Sequence, residues 1–349
     1  MGGSRLRVVQ WGTGNIGTRS LREVIRDPEL ELVGVRVYDP AKDGVDAGLL
    51  CDEEPVGVVA SRDSDAICAL AADCALYMPS RLELEDVLTM LEAGTNVVTT
   101  RGELFAGGHN LGDEGRARVR DACARGGSSI YATGSSPGFI TDALPFALLS
   151  LQRRLDLIEI EEFANLSRRD SPQMLFELMG FGQPLASHDP SRSSFLLTEF
   201  GPPLGVVAQA AGRPVDEWTC SGEVAAARRT TSILAGEIAE GTVAAQRTVI
   251  SGRCEGAEVL RFTPTWYCTE ELEPAWDLRV TGWRVRVRGD ASLDVEISFP
   301  IPLDDFASFT PALTANRPVN AIPLVCAAAP GILSTADLPP ITPASLQSE

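Results

Sequence analysis

Gly12, Gly14 and Gly17 stand in the spacing G-x-G-x-x-G, as Gly12-Thr13-Gly14-Asn15-Ile16-Gly17, directly after the apolar run Leu6 to Trp11. Each glycine has a separate use in that setting. Gly12 allows a tight turn, Gly14 lets backbone approach a pyrophosphate with no Cβ in the way, and Gly17 lets a helix lie close on the preceding strand. The helix that opens there has unpaired N–H groups and the positive end of its dipole at its start, and both favour an anion. The stretch from residue 6 to 39 reads as strand, glycine turn, helix and second strand, so a dinucleotide is the expected ligand.

The second strand ends at Asp39, in the turn Asp39-Pro40-Ala41-Lys42-Asp43-Gly44. An acid at this place commonly accepts hydrogen bonds from the adenosine ribose hydroxyls, which favours NAD. Arg36 and Lys42 lie close enough in sequence to neutralise a 2′-phosphate, which favours NADP, so either cofactor is admitted. Three later segments should line the same cleft, since ligands of parallel sheets sit beyond the carboxyl ends of the strands. They are Met78-Pro79-Ser80, the run Thr99-Thr100-Arg101-Gly102-Glu103, and the loop from Gly134 through Ser136 and Pro137 to Phe139. Glu103 then stands near the nicotinamide.

The elements that must position these residues alternate along the first part of the chain. CALYMPS, TNVVTT and SSIYATG read as strands, and RLELEDVLTMLEAG and GDEGRARVRDACARGG as helices, the former closed by Gly94. This alternation predicts a Rossmann-type parallel α/β sheet over residues 1–140. Past residue 150 the rhythm changes. LDLIEIEEFANLS and WDLRVTGWRVRVRGDASLDVEISFPIP read as long strands with alternating charge, which predicts a second α+β domain over 141–310 built on a mixed or antiparallel sheet. Within it QMLFELMGFG reads as a helix capped by Gly180, GEVAAARRTTSILAGEIAEG as strongly helical, and GTVAAQRTVISGRCEGAEVLRFTPTWYC as strand. The segment 311–349 should pack back on the first domain, with ANRPVNAIPLVCAAAPGIL as a buried helix.

At 349 residues and 44% hydrophobic composition the chain can bury two sizeable cores. Its net charge of -18, with no basic block, argues against nucleic acid and anionic membrane surfaces and leaves small molecules as partners. No apolar h-region or membrane-length apolar stretch occurs, so a soluble cytoplasmic protein is expected. The eight cysteines form no C-x-x-C pair and read as buried free thiols. The two histidines, His109 and His188, are too far apart to suggest a metal site, and no metal is assigned.

With the glycine turn, the TTRGE loop, the TGSSPGF loop and the C-terminal VNAIPLVCAAAPGILSTADLPP in place, nearly the whole chain resembles the dihydrodipicolinate-reductase-like superfamily, in its 2,4-diaminopentanoate dehydrogenase and native amine dehydrogenase branch. YDPAKDGVDAGLL, ELMGFG and GTVAAQRTVISG carry the same resemblance. It implies NAD(P)H-dependent reductive amination of a ketone or aldehyde with ammonia, or oxidative deamination of a primary amine or diamino acid in reverse, by a homodimer built through the second-domain sheet. It also implies that Glu103 is the carboxylate beside the substrate, which would hold ammonium and accept its proton before nitrogen attacks the carbonyl carbon. The H-H-x-x-K-type motif of true dihydrodipicolinate reductases is absent, which sets lysine biosynthesis aside. Two departures bear on substrate. Ser136 stands where many relatives carry asparagine, and Arg168-Arg169-Asp170-Ser171-Pro172 is more charged than an aliphatic ketone requires. Those arginines either meet a carboxylate-bearing or polar substrate or face solvent. The competing readings of the whole are a carbonyl or imine reductase that uses no free ammonia, and a non-catalytic dinucleotide-binding sensor.

Overall fold

Strands buried on both faces are mostly apolar, as the fully buried Cys74–Tyr77 is. In the computed structural model, which describes residues 5–185 and 190–343, the strands of the first sheet include β1 (Leu6–Trp11), β2 (Leu30–Arg36), the very short β3 (Ala60–Ser61), β4 (Cys74–Tyr77), β5 (Asn96–Thr99) and β6 (Ser129–Ala132). The chain divides into two units, Met1–Phe139 with Thr310–Glu349, and Ile140–Phe309. Among the described residues no helix is long and apolar enough to cross a membrane.

The first unit holds a seven-stranded, wholly parallel sheet. Its order is β3-β2-β1-β4-β5-β6 followed by a short strand, Gly331–Leu333, that pairs with β6. This is the doubly wound order, with the chain reversing direction of growth between β1 and β4. Helices α2 (Leu84–Glu92) and α3 (Gly112–Gly126) cover one face, where Val87, Leu91, Val119 and Ala122 join Trp11, Tyr77 and Val97 in a single buried cluster. The other face takes Val24 of α1 (Asn15–Arg26) and Val319, Ile322 and Val325 of the C-terminal helix Phe306–Ala327. Leu338 and Ile341 of the tail are partly buried against the same cluster. Burying each large aliphatic or aromatic side chain here contributes about 1.5–3 kcal/mol.

The C-terminal helix was expected to run through Gly331-Ile332-Leu333, but it ends at Ala327. Pro330 cannot donate a helical N–H and disfavours helical backbone in the residue before it, and Gly331 follows with φ +152°. The freed segment finds its hydrogen bonds on the open edge of β6 instead.

The second unit is a seven-stranded mixed sheet of order β13-β8-β11-β12-β7-β14-β15. Its strands are β7 (Leu155–Asn165), β8 (Glu217–Ala227), β11 (Val243–Cys254), β12 (Ala257–Tyr267), β13 (Leu272–Glu273), β14 (Gly282–Gly289) and β15 (Leu293–Ser298), all antiparallel to their neighbours except for the parallel pair β7 and β12. The segment Gly222 to Gly241, expected to be helical, is instead the second half of β8 and a hairpin of β9 (Thr231–Ile233) and β10 (Gly236–Ile238). Alanine's helix preference is worth under about 1 kcal/mol per residue. Against it stands a ladder in which Gly222 to Ala226 all pair with β11, and a core into which Ala225 and Ala227 fit as small side chains. The segment Gln173–Leu178 forms a single wide helical turn, with Gly180 at φ +76° after it. The helix α4 (Pro190–Ala210) carries Pro202 and Pro203 inside it, in a segment for which the sequence analysis names no element.

All eight cysteines are free, and Cys51, Cys74, Cys123, Cys254 and Cys268 are buried. Burial pushes the thiols of Cys51 and Cys123 up to about 11 and that of Cys268 up to about 12, so they are inert at neutral pH.

Gly126, the last residue of α3, lies against the turn that ends α2: a Cβ there would stand 1.8 Å from Leu91 O and 2.9 Å from Gly94 N. Gly126→Ala is expected to destabilise the fold by about 1–3 kcal/mol, seen as a lower urea midpoint with unchanged slope.

Candidate cofactor and catalytic site

The glycine turn is crowded where the sequence reading expects crowding and open where it expects a ligand. Gly12 has φ +92°, and a Cβ on it would meet Met78 O at 2.9 Å; one on Gly17 would meet Gly12 O at 2.1 Å. Around Gly14 nothing lies within 4 Å of such a Cβ. Gly14 is the N-cap of α1 and provides no side-chain cap, and no acid occupies the first turn. The N–H groups of Asn15, Ile16 and Gly17 thus have no intrahelical acceptor and stand at the positive end of a twelve-residue helix. An open cradle of N–H groups beside a residue with no side chain fits a pyrophosphate.

A residue the sequence reading passed over holds this turn in shape. Gln10 is fully buried; its Nε2 donates to Gly12 O at 2.9 Å, and its Oε1 accepts from Ser20 Oγ at 2.9 Å. Ser20 Oγ also lies 3.2 Å from Met78 Sδ. The signal was present in the sequence, because a polar residue inside an apolar run destined for a doubly covered sheet must find buried partners.

The other segments gather along the same edge of the first sheet. Met78, buried, donates its N–H to Trp11 O at 2.8 Å, and Thr133 N donates to Thr99 O at 2.9 Å. Thr99 Oγ1 donates to Tyr77 O at 2.6 Å and accepts from Arg101 N at 3.0 Å, while Thr100 beside it is partly exposed. In the third loop a Cβ on Gly134 would meet Pro137 O at 3.0 Å, and Ser136 Oγ is buried with no hydrogen-bond partner. Ser135 Oγ and Thr314 Oγ1 share a hydrogen bond of 2.7 Å, and Arg317 Nε donates to Thr133 Oγ1 at 2.7 Å, so the C-terminal helix steadies this loop. Neither Thr314 nor Arg317 had been singled out from the sequence.

Glu103 lies in the single turn Gly102–Leu104 beyond β5, and its side chain is 32% exposed. Arg101 grips it with two bonds, Nη2 to Oε1 at 2.7 Å and Nε to Oε2 at 3.1 Å, while Nη1 of the same guanidinium donates to Ser80 O at 2.8 Å. Arg101 therefore fixes the carboxylate and ties the loop after β5 to the loop after β4. A carboxylate offers about four lone-pair positions, and the fork occupies one on each oxygen.

At the end of β2, Asp39 Oδ1 accepts from Ala41 N at 2.9 Å and caps the turn Pro40–Lys42. Lys42 Nζ donates to Thr13 O at 2.7 Å. The Arg36 guanidinium lies 4.5 Å over the Tyr38 ring and donates from Nε to Ser64 Oγ at 2.9 Å. Nearby, Asp86 on α2 is pushed up to about 6, first by burial and then by its hydrogen bond and like charge with Glu83, with Arg36 opposing; its Oδ2 is buried without a partner.

In the second unit, Arg168 pairs with Asp304 at 2.7 Å. Arg169 Nη1 donates to Met174 Sδ at 3.3 Å, and burial lowers the pKa of its guanidinium against the opposing pull of Glu162. His188 lies outside the described residues. Among the described residues no group of three or more His, Cys, Asp or Glu is placed to hold a metal ion.

No protein-family model matches the chain. It is 29% identical over 347 residues to an amine dehydrogenase of Streptomyces virginiae, covering 96% of each chain. Among solved structures it is similar to an amine dehydrogenase from Mycobacterium smegmatis, with a TM-score of 0.77 at 20% identity over 97% of each chain. A structure described as a probable dehydrogenase from Thermotoga maritima gives a TM-score of 0.62 at 13% identity, over 95% of this chain and 92% of that one. Dehydrogenases are thus what the chain is similar to, in sequence along nearly its whole length and in its α/β fold.

Two outcomes follow from this geometry. Gly17→Ala is expected to weaken NADH binding by at least about tenfold in a fluorescence titration, because the new methyl displaces the Gly12 carbonyl that shapes the cradle. Asp86 holds its proton more tightly folded than unfolded, so its environment costs nothing below the ordinary carboxylate range, and the cost builds from there up to about 6 and is fully present above it. Asp86→Asn should therefore raise Tm at pH 8 and leave it unchanged at pH 4.

Proposed function

We propose that the protein is an NAD(P)H-dependent amine dehydrogenase, joining a ketone or aldehyde to ammonia by reductive amination or running the reverse deamination, with Glu103 handling the proton of ammonia. The observation that carries the reading is the Arg101-held carboxylate on the same sheet edge as the glycine turn. The likeness to a curated amine dehydrogenase along 96% of the chain supports it. The narrower kinship with 2,4-diaminopentanoate dehydrogenases belongs to this proposal too.

The cofactor, when bound, supplies hydride to the carbon that nitrogen has attacked. Gly12, Gly14, Gly17 and the first N–H groups of α1 would hold its pyrophosphate, and Ser136 Oγ, which has no partner, is free to meet a polar edge of it or of the substrate. Glu103 does the acid–base work. Near neutral pH ammonia is almost wholly ammonium, so a carboxylate must hold the cation and take a proton before nitrogen is nucleophilic. Arg101 leaves lone pairs free on both oxygens for that purpose while keeping the group aimed. The protonated Glu103 then returns its proton to the departing hydroxyl, and once ionised again it stabilises the iminium cation electrostatically.

The protein is also proposed to act as a homodimer through the sheet of the second unit. What supports this is a paired, charged strand face, with Arg261 3.3 Å from Glu159 and Arg286 3.1 Å from Glu161 around a trough of about 490 Å³.

The test is oxidation of NADH and NADPH at pH 8–9 with a panel of small ketones and aldehydes, with and without excess ammonium. Oxidation that needs both carbonyl and ammonium is expected. Oxidation without ammonium would make the protein a carbonyl or imine reductase, and cofactor binding with no turnover across the panel would favour a sensor. Glu103→Gln should bind cofactor as the parent does and lose about 10²–10⁴-fold in ammonium-dependent kcat/KM; undiminished turnover would remove Glu103 from the mechanism.

A further inference from the structure

The chain holds 30 basic side chains of the Lys and Arg kinds, and 29 of them are arginine. The one lysine is Lys42, and it is docked on the glycine turn: Nζ donates to Thr13 O at 2.7 Å and lies 3.3 Å from Thr13 Oγ1. Thr13 itself is 7% exposed, so the ammonium sits over a buried part of the loop between Gly12 and Gly14. Lys42 starts from the turn beyond β2 and reaches back across to the loop beyond β1, where β1 and β2 run side by side to the register pair Trp11 and Arg36. In a sheet of this order the adenosine ribose lies at that place, between the first glycine turn and the end of the second strand.

The neighbouring groups have partners of their own. Asp39, the acid that could accept both ribose hydroxyls, takes the N–H of Ala41 on Oδ1 at 2.9 Å, one of its about four lone-pair positions. The Arg36 guanidinium is fixed on Ser64 and stacked at 4.5 Å on Tyr38, with Asp86 close enough to feel its charge. Lys42 alone in this group is a cation on a flexible stem, and of its three N–H donors two are directed at Thr13.

We propose that Lys42 is the specificity-determining residue of the cofactor site and selects a 2′-phosphorylated dinucleotide, NADPH, over NADH. The inference rests on the dinucleotide reading of the glycine turn and is independent of the amine chemistry. A compact ammonium at the ribose meets a phosphate as a charge-assisted hydrogen bond and gains nothing comparable from a hydroxyl. Its anchor on Thr13 O keeps the charge in place before the cofactor arrives, which lowers the ordering cost of binding.

The experiment uses the full chain and two adenosine probes that differ only in the 2′-phosphate, 2′,5′-ADP and 5′-AMP, titrated calorimetrically, with NADPH and NADH beside them. The parent should bind 2′,5′-ADP at least about tenfold more tightly than 5′-AMP. Lys42→Ala should remove about tenfold from 2′,5′-ADP and NADPH and leave 5′-AMP and NADH within about twofold, and Lys42→Arg should keep most of the preference. Equal losses for both probes would mean that the charge serves the 5′-phosphate or the fold, and would overturn the proposal, as would a parent with no preference. Because Lys42 is the sole side-chain amine, an amine-acylating reagent supplies a second measurement on the unaltered protein. Peptide masses should show Lys42 protected by 2′,5′-ADP and not by 5′-AMP at equal concentration, and protection by neither would also overturn it. Neither probe carries a nicotinamide or takes part in the amination, so failure of the amine dehydrogenase reading leaves these outcomes unchanged.

Discussion

Gly17 lies so close to Gly12 that a Cβ on it would stand 2.1 Å from the Gly12 carbonyl oxygen, and the rest of the site depends on that approach. It brings the start of α1 down onto the end of β1, so the N–H groups of the first helical turn stand directly above the sheet edge. Gln10 keeps the Gly12 carbonyl from rotating away, and Ser20 keeps Gln10 in place. Any side chain that forced α1 off the strand would move the cradle and every loop packed against it together.

Once that turn is fixed, the remaining site residues follow from hydrogen bonds between neighbouring parallel strands. Met78 is positioned through Trp11, Thr133 through Thr99, and Ser80 and Glu103 through one guanidinium, that of Arg101. Arg101 ties the Glu103 carboxylate to the loop after β4, so that carboxylate and the glycine turn are parts of one hydrogen-bonded sheet edge. Bonding of that kind suits a reaction in which two atoms must meet at a fixed separation.

Two expectations about local structure failed for one reason. The alanine-rich segment after Gly222 and the apolar segment after Pro330 both carry helix-like composition, yet both are strands. Each lies beside an unpaired strand edge, β11 in one case and β6 in the other, and a row of backbone hydrogen bonds outweighs a small intrinsic preference. Propensity reports on a segment alone, and these segments are not alone.

The sequence by itself determined what depends on covalent spacing and on apolar period: the glycine turn between Gly12 and Gly17, the doubly covered strands β1, β4 and β5, the change to a second kind of sheet, and Glu103 on a loop beyond a strand. Those features are written within short windows, where neighbours in sequence are neighbours in space. Only the tertiary structure decided that Lys42 rests on Thr13, 29 residues away, that Gln10 and Ser20 meet beneath the turn, and that Ser129 bonds to Ala329 across 200 residues. It also decided that Arg101, two residues before Glu103, turns its fork onto that carboxylate while reaching back to Ser80. A buried polar group must be satisfied, but which partner satisfies it depends on how the chain returns, and no local pattern carries that information.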